Sequence, residues 1–215
     1  GAGKTTLVRA LAGLIPCEGD VRIDGRSSRP MDARERARLV AYLPQGHVFN
    51  WPLAAAEIVA LGRHPHADPF SPPSDADRQA VKRAIAATGI EAFAARSILS
   101  LSGGERARVA LAPILLADEP TAALDPRHQL IVMEQLRAVA RGGAAVLAVM
   151  HDLMLAARFA DRVLVMDEGR IAVDAAPADA LSPEIIARVF GVDASMIDID
   201  GERAPILRAP LPQPD

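Results

Sequence analysis

A chain of 215 residues, half of them hydrophobic but only 3% aromatic, is long enough for one domain whose core is packed mainly by Ala, Leu, Val and Ile. A formal charge of −3 gives no basic surface for nucleic acid, and the single Cys17 excludes an internal disulfide or a cysteine-rich metal site and fits a reducing compartment. The most apolar stretch, residues 144–166, is interrupted by His151, Asp152, Arg158, Asp161 and Arg162, so the sequence offers no membrane span.

The chain opens on Gly1-Ala2-Gly3-Lys4-Thr5-Thr6. Gly3-Lys4-Thr5 matches the last three positions of the phosphate loop G-x-x-x-x-G-K-[ST]. That motif's first glycine and preceding strand would fall before residue 1, so the chain reads as a fragment lacking its amino-terminal β-strands. A helix is expected over 4–12, stopped by Gly13 as C′. Residues 21–25 read as a short strand ending in a turn, 32–38 as a charged helix, and 39–43 as a buried strand running into Pro44-Gln45. The pattern then turns helical, with helices at 54–61 and 75–88 separated by a Pro-rich loop at 64–74.

After Leu101-Ser102-Gly103-Gly104-Glu105 the pattern alternates: strand 114–117, helix 127–141, strand 145–150, helix 153–159, strand 163–166. Such alternation predicts a parallel sheet with crossover helices. Ser182-Pro183-Glu184 starts a late helix through Phe190, and beyond Arg203 four prolines predict a loose tail.

Several of these segments carry phosphate chemistry. Lys4 would lie along the β- and γ-phosphates, with the Thr5 hydroxyl on Mg²⁺. Asp118-Glu119 ends an apolar run, placing two carboxylates at the C-terminal edge of a strand, where open α/β sheets bind ligands. Asp118 would hold Mg²⁺ and Glu119 would accept a proton from the attacking water. Ser102-Gly103-Gly104 sets a hydroxyl and two glycines at a helix start, where exposed N–H groups attract anions. Gln45 and His151 each close a strand and are ordinary there when taken singly. His64-Pro65-His66 lacks a third ligand and reads as loop decoration.

In this order the motifs resemble the ATP-binding-cassette ATPases over nearly the whole chain, the Leu101–Glu105 signature most specifically. The resemblance implies an α/β fold: a P-loop NTPase core with a mainly parallel sheet, an ATPase domain over 1–203 with a helical subdomain at about 46–106, and a Pro-rich tail at 204–215. The implied cofactors are ATP and Mg²⁺. Gly1, Ala2, Gly3, Lys4, Thr5 and Thr6 would bind the nucleotide, as would Ser102, Gly103 and Gly104 from a second copy. Thr5, Gln45 and Asp118 would serve the metal, and Glu119, His151 and Gln45 the reaction. The implied partners are a second ATPase domain (a homodimer), transmembrane permease subunits and, indirectly, a substrate-binding protein, at the cytoplasmic face of the membrane. Tyr42-Leu43-Pro44-Gln45, Trp51-Pro52-Leu53, 57–66 and 185–192 look like importers of ferric siderophores, haem and vitamin B12.

Ser102 and Asp118 stand sixteen positions apart, about seven fewer than the family pattern. The shortening predicts either a displaced signature or sheet strand, or a signature helix (102 to about 112) unravelled into a connector. Two other readings compete. A soluble cassette ATPase of DNA repair would carry a coiled coil or zinc insertion between Gln45 and Leu101, and the sequence has neither cysteine nor heptads there. A degenerate copy without turnover would follow from the missing strand and the short helix.

Overall fold

The computed structural model describes residues 1–45, 52–66, 71–102, 105, 116–199 and 201–212. The chain forms two compact units, Val8–Val149 and a second made of Gly1–Leu7 with Met150–Asp215.

In the Val8–Val149 unit the frame is a three-stranded parallel sheet in the order β3 (Tyr42–Leu43), β4 (Leu116–Asp118), β5 (Leu147–Val149). Leu43 lies beside Ala117, and Ala117 beside Ala148, so the strands run in step toward one edge. Leu43, Ala117 and Val149 are buried, as are Val132, Met133 and Leu136 of helix α5 (Pro126–Arg141). Asp125 caps α5, accepting from the His128 N–H at 3.1 Å, and Pro126 follows at the first helical position, where its missing N–H costs nothing.

Helix α1 (Lys4–Leu11) ends as expected at Gly13: with φ +69° there, the Gly13 N–H reaches the Ala10 carbonyl and the Leu14 N–H the Arg9 carbonyl, both at 2.9 Å. Strands β1 (Arg22–Ile23) and β2 (Arg26–Ser27) then form a hairpin over Asp24-Gly25, both with positive φ, the backbone a two-residue turn of this hand requires. Helix α2 (Ala33–Leu39) is opened by a reciprocal cap between Asp32 and Glu35. That helix takes Leu39, so the strand expected over 39–43 shrinks to Tyr42–Leu43.

Helices α3 (Ala55–Leu61) and α4 (Asp75–Thr88) appear where expected. Ser74 caps α4, whose buried Asp77 pairs with Arg63 at 2.9 Å. Ala55, Val59, Ile90, Phe93, Ile98 and Leu101 form a hydrophobic cluster of their own. Of the signature segment, Leu101, Ser102 and Glu105 are described; Gly103, Gly104, the expected helix beyond Glu105 and the start of strand 114–117 lie outside the described residues.

The second unit differs from the sequence expectation in two places. Strand β6 (Val163–Asp167), expected as the last member of the parallel alternation, pairs antiparallel with an unforeseen β7 (Arg170–Ala175) across Glu168-Gly169, again with two positive φ values. The tail is not loose: β8 (Val192–Ile199) and β9 (Glu202–Pro210) form an antiparallel hairpin, and Ala204 and Pro205 are buried. Prolines fit β9 because of the direction of its ladder. The Leu211 N–H donates inward to the Gly191 carbonyl at 2.7 Å, so alternation turns the nitrogen of Pro210 outward. The register shift between Asp193 and Ala194 adds one residue to β9 and reverses the alternation, so the nitrogen of Pro205 faces outward as well, where no N–H is needed. Helices α6 (Leu153–Phe159) and α8 (Pro183–Phe190), with the short α7 (Pro177–Ala180) between, close a core around Ala180, Leu181 and Ile186. Ser182 caps α8 as expected.

Candidate functional site

The parallel register of the Val8–Val149 unit builds the site. Leu43 is level with Ala117, so Gln45, two residues on, is level with Glu119. Their side chains meet: Gln45 Nε2 donates to Glu119 Oε2 at 2.6 Å. Asp118, the last residue of β4, alternates to the opposite face and is fully buried. A carboxylate taken out of water needs partners, and the Tyr42 hydroxyl stands 3.4 Å from its Oδ2.

Glu119 leaves the strand with φ +53°, a left-handed conformation that costs a non-glycine residue about 1–2 kcal/mol. Its N–H still bonds the Val149 carbonyl of β5 at 3.1 Å, and its own carbonyl accepts from Ala122 at 3.1 Å. The carboxylate is thereby turned out of the ladder toward Gln45. Beyond it, Asp125 accepts from His128 Nδ1 at 2.6 Å, and that bond holds the Asp125 carboxyl below the ordinary carboxylate range.

Other expected site residues lie elsewhere. Gly1, Ala2, Gly3, Lys4, Thr5 and Thr6 belong to the second unit, where Gly3, with φ +83°, leads into α1 and its carbonyl accepts the first helical bond from Leu7 at 2.9 Å. Lys4 and Thr5 are half-buried. His151, exposed, follows β5 by two residues and belongs to the second unit as well. Ser102 takes part in a reciprocal cap: its N–H donates to Glu105 Oε2 at 2.8 Å, and its Oγ accepts from the Glu105 N–H at 3.3 Å.

Sequence reasoning gave Tyr42, quoted only within the Tyr42–Gln45 resemblance, and Arg9 no role at the site. Arg9 Nε donates to the Tyr42 hydroxyl at 3.4 Å, and that bond, with a smaller contribution from the Asp118 charge, raises the guanidinium's already high pKa. The only available signal was Tyr42 lying three residues before Gln45 on a strand.

Mg²⁺ takes oxygen ligands and commonly uses one or two carboxylates together with nucleotide phosphates. Among the described residues no group of three or more His, Cys, Asp and Glu could hold a metal ion alone. The buried oxygens of Asp118 fit the role of a single carboxylate donor.

The chain is similar to known proteins over most of its length. A family model described as "ABC transporter" matches residues 1–126. The chain is 42% identical to the hemin import ATP-binding protein HmuV of Myxococcus xanthus, covering 98% of this chain and 85% of that one. It is 40% identical to the cobalamin import ATP-binding protein BtuD of Halobacterium salinarum, covering 99% of this chain and 55% of that one. Among solved structures it resembles the ATP-binding cassette MJ0796, a dimer in a post-hydrolysis state with ADP and Pi, at TM-score 0.66 and 29% identity over 82% of this chain and 81% of that one. An ABC transporter in an inward-facing conformation shares the fold at TM-score 0.80 and 22% identity, over 97% of this chain and 82% of that one.

Proposed function

This chain belongs to the ABC transporter family of ATPases, and on that premise we propose that it is the ATP-hydrolysing subunit of an importer for haem, a cobalamin or an iron–siderophore chelate. The observation that carries the catalytic reading is the 2.6 Å contact of Gln45 with Glu119 at the edge of a parallel sheet, beside the buried Asp118. The haem and cobalamin cargoes rest on the hemin and cobalamin import relatives. The siderophore alternative rests on the sequence resemblance around Tyr42–Gln45 and 57–66.

In this reading Glu119 is the general base: it takes the proton of a water whose oxygen attacks the γ-phosphorus while the bond to the ADP oxygen breaks. The Gln45 amide, already on that carboxylate, orients the water. Lys4 and the backbone N–H groups of Gly1–Thr6 bind phosphate oxygens, and His151 partners the γ-phosphate. Asp118 would be a carboxylate donor to Mg²⁺ and the Thr5 hydroxyl another of its ligands, and the ion would supply positive charge to the phosphate oxygens. Ser102, Gly103 and Gly104 serve the nucleotide of a second copy in a homodimer. Permease subunits would hold the protein at the cytoplasmic face of the membrane and a substrate-binding protein would deliver cargo; among the described residues no helix is long and apolar enough to cross a membrane.

The test is phosphate release from ATP by the full chain, wild type beside Glu119→Gln. Removing the base lowers turnover by at least about 100-fold while nucleotide binding persists. Undiminished turnover in the variant rejects Glu119 as base, and a wild type that neither binds nor hydrolyses ATP rejects the enzyme reading.

A further inference from the structure

Three side chains of the Val8–Val149 unit stand in line: Arg9 on α1, Tyr42 on β3 and Asp118 at the end of β4. Arg9 Nε lies 3.4 Å from the Tyr42 hydroxyl, which lies 3.4 Å from Asp118 Oδ2. Chemistry fixes the direction of this chain. A guanidinium only donates, so the Tyr42 oxygen accepts from Arg9 and its one proton is left for the carboxylate. The register explains how the pair meets. Tyr42 is level with Leu116, and Asp118, two residues on, points to the same face, within reach of an aromatic side chain along the diagonal. Both distances are longer than the usual range of about 2.7–3.2 Å for N–H···O and about 2.5–3.0 Å for O–H···O bonds, so each contact is a weak one that acts on orientation rather than through tight binding.

We propose that Tyr42, backed by Arg9, is a positioning residue that holds Asp118 Oδ2 and so fixes the orientation this carboxylate would present to Mg²⁺. The inference rests on the ATPase reading above and deepens it. Asp118 has no exposure to solvent, so its orientation is set by protein groups rather than by water. Arg9 polarises the phenol and makes it a stronger donor than a tyrosine facing an apolar wall. Neither residue touches the reacting atoms; both act through Asp118.

Tyr42→Phe removes one oxygen and keeps the ring. The readout is Mn²⁺ binding by electron paramagnetic resonance to the full chain with a non-hydrolysable ATP analogue, beside analogue binding in EDTA and the thermal midpoint. We expect the Mn²⁺ dissociation constant to rise about tenfold in Tyr42→Phe and about threefold in Arg9→Ala, with Arg9→Lys between wild type and Arg9→Ala. Metal-free analogue affinity and the thermal midpoint stay at wild-type values, which a merely structural role would not allow. Mn²⁺ affinity within twofold of wild type in Tyr42→Phe overturns the proposal while leaving the ATPase reading intact. If Tyr42→Phe loses stability, Arg9→Ala decides by the same criterion. A wild type that binds no analogue overturns both.

Discussion

At Gly13 a single added methyl would displace a side chain that ties three segments together. The residue closes α1 at φ +69°, and a Cβ there would lie 2.1 Å from Arg36 Nη1 and 2.6 Å from its Cζ. The Arg36 guanidinium gathers three backbone carbonyls, Gly13 at 3.2 Å, Ser28 at 3.2 Å and Met31 at 3.3 Å, so it ties the end of α1 to β2 and to the entry of α2. In Gly13→Ala, holding alanine at positive φ costs about 1 kcal/mol. The stiffer unfolded chain offsets about 0.5 kcal/mol of that. The displaced guanidinium forfeits three part-exposed hydrogen bonds of roughly 0.5 kcal/mol each, for a net loss of about 2 kcal/mol. Urea unfolding followed by circular dichroism reads this as a midpoint lowered by about 1 M, at a slope of about 2 kcal/mol/M. Gly19→Ala is the control, since φ is +94° there and nothing lies within 4 Å of the added Cβ; it carries the strain alone. In an Arg36→Ala background the cost of Gly13→Ala should fall to that of the control. Equal midpoints for Gly13→Ala and Gly19→Ala, or a cost unchanged without Arg36, would refute the reasoning.

Two further outcomes follow from side chains already described. Gln45→Glu places a second carboxylate on Glu119, where the amide now sits at 2.6 Å; two such groups share a proton, so the acid limb of the ATPase pH profile moves upward by a unit or more, and an unmoved limb contradicts the contact. Arg162 grips Asp174 through two contacts of 2.5 Å and holds that carboxyl below its ordinary value. A depressed carboxylate contributes stability above its unfolded pKa, about 3.9, and loses it as pH falls through the folded value. Arg162→Leu therefore flattens the fall of stability below about pH 4, measured by urea midpoints at stepped pH, and an unchanged slope rejects the pair as a contributor.

Local signals were legible wherever a short-range rule decides the backbone. Gly13 as the stop of α1 and Ser182 as the cap of α8 needed only their neighbours, and both stand as read. The edge placement of Asp118-Glu119 followed from an apolar run ending in charge. What remained illegible depends on pairing across distance. Nothing in 163–167 tells that it will join an antiparallel hairpin instead of extending the parallel alternation, and β7 exposes Arg170, Ile171 and Ala172 in succession, hiding a strand's alternation. In β9 only Ala204 and Pro205 are buried, so its composition reads as a tail. Arg9, Tyr42 and Asp118 span more than a hundred positions, and only the sheet register brings them into line. Gly103, Gly104 and the segment shortened before Asp118 lie outside the described residues.

The outward nitrogens of Pro205 and Pro210 have a consequence for how copies of this chain behave when crowded. Among the described residues β9 pairs with β8 alone, and its outer rim carries Ile206, 40% exposed, and Leu207, 52% exposed, the kind of sticky border that recruits foreign strands. An incoming strand would dock its carbonyls at the two prolines and find no hydrogen to receive them, leaving two desolvated oxygens in a nine-residue zipper. Two of the four prolines that made the segment look unstructured thus insulate its greasy border, so that the hairpin stays closed on itself rather than seeding a fibre.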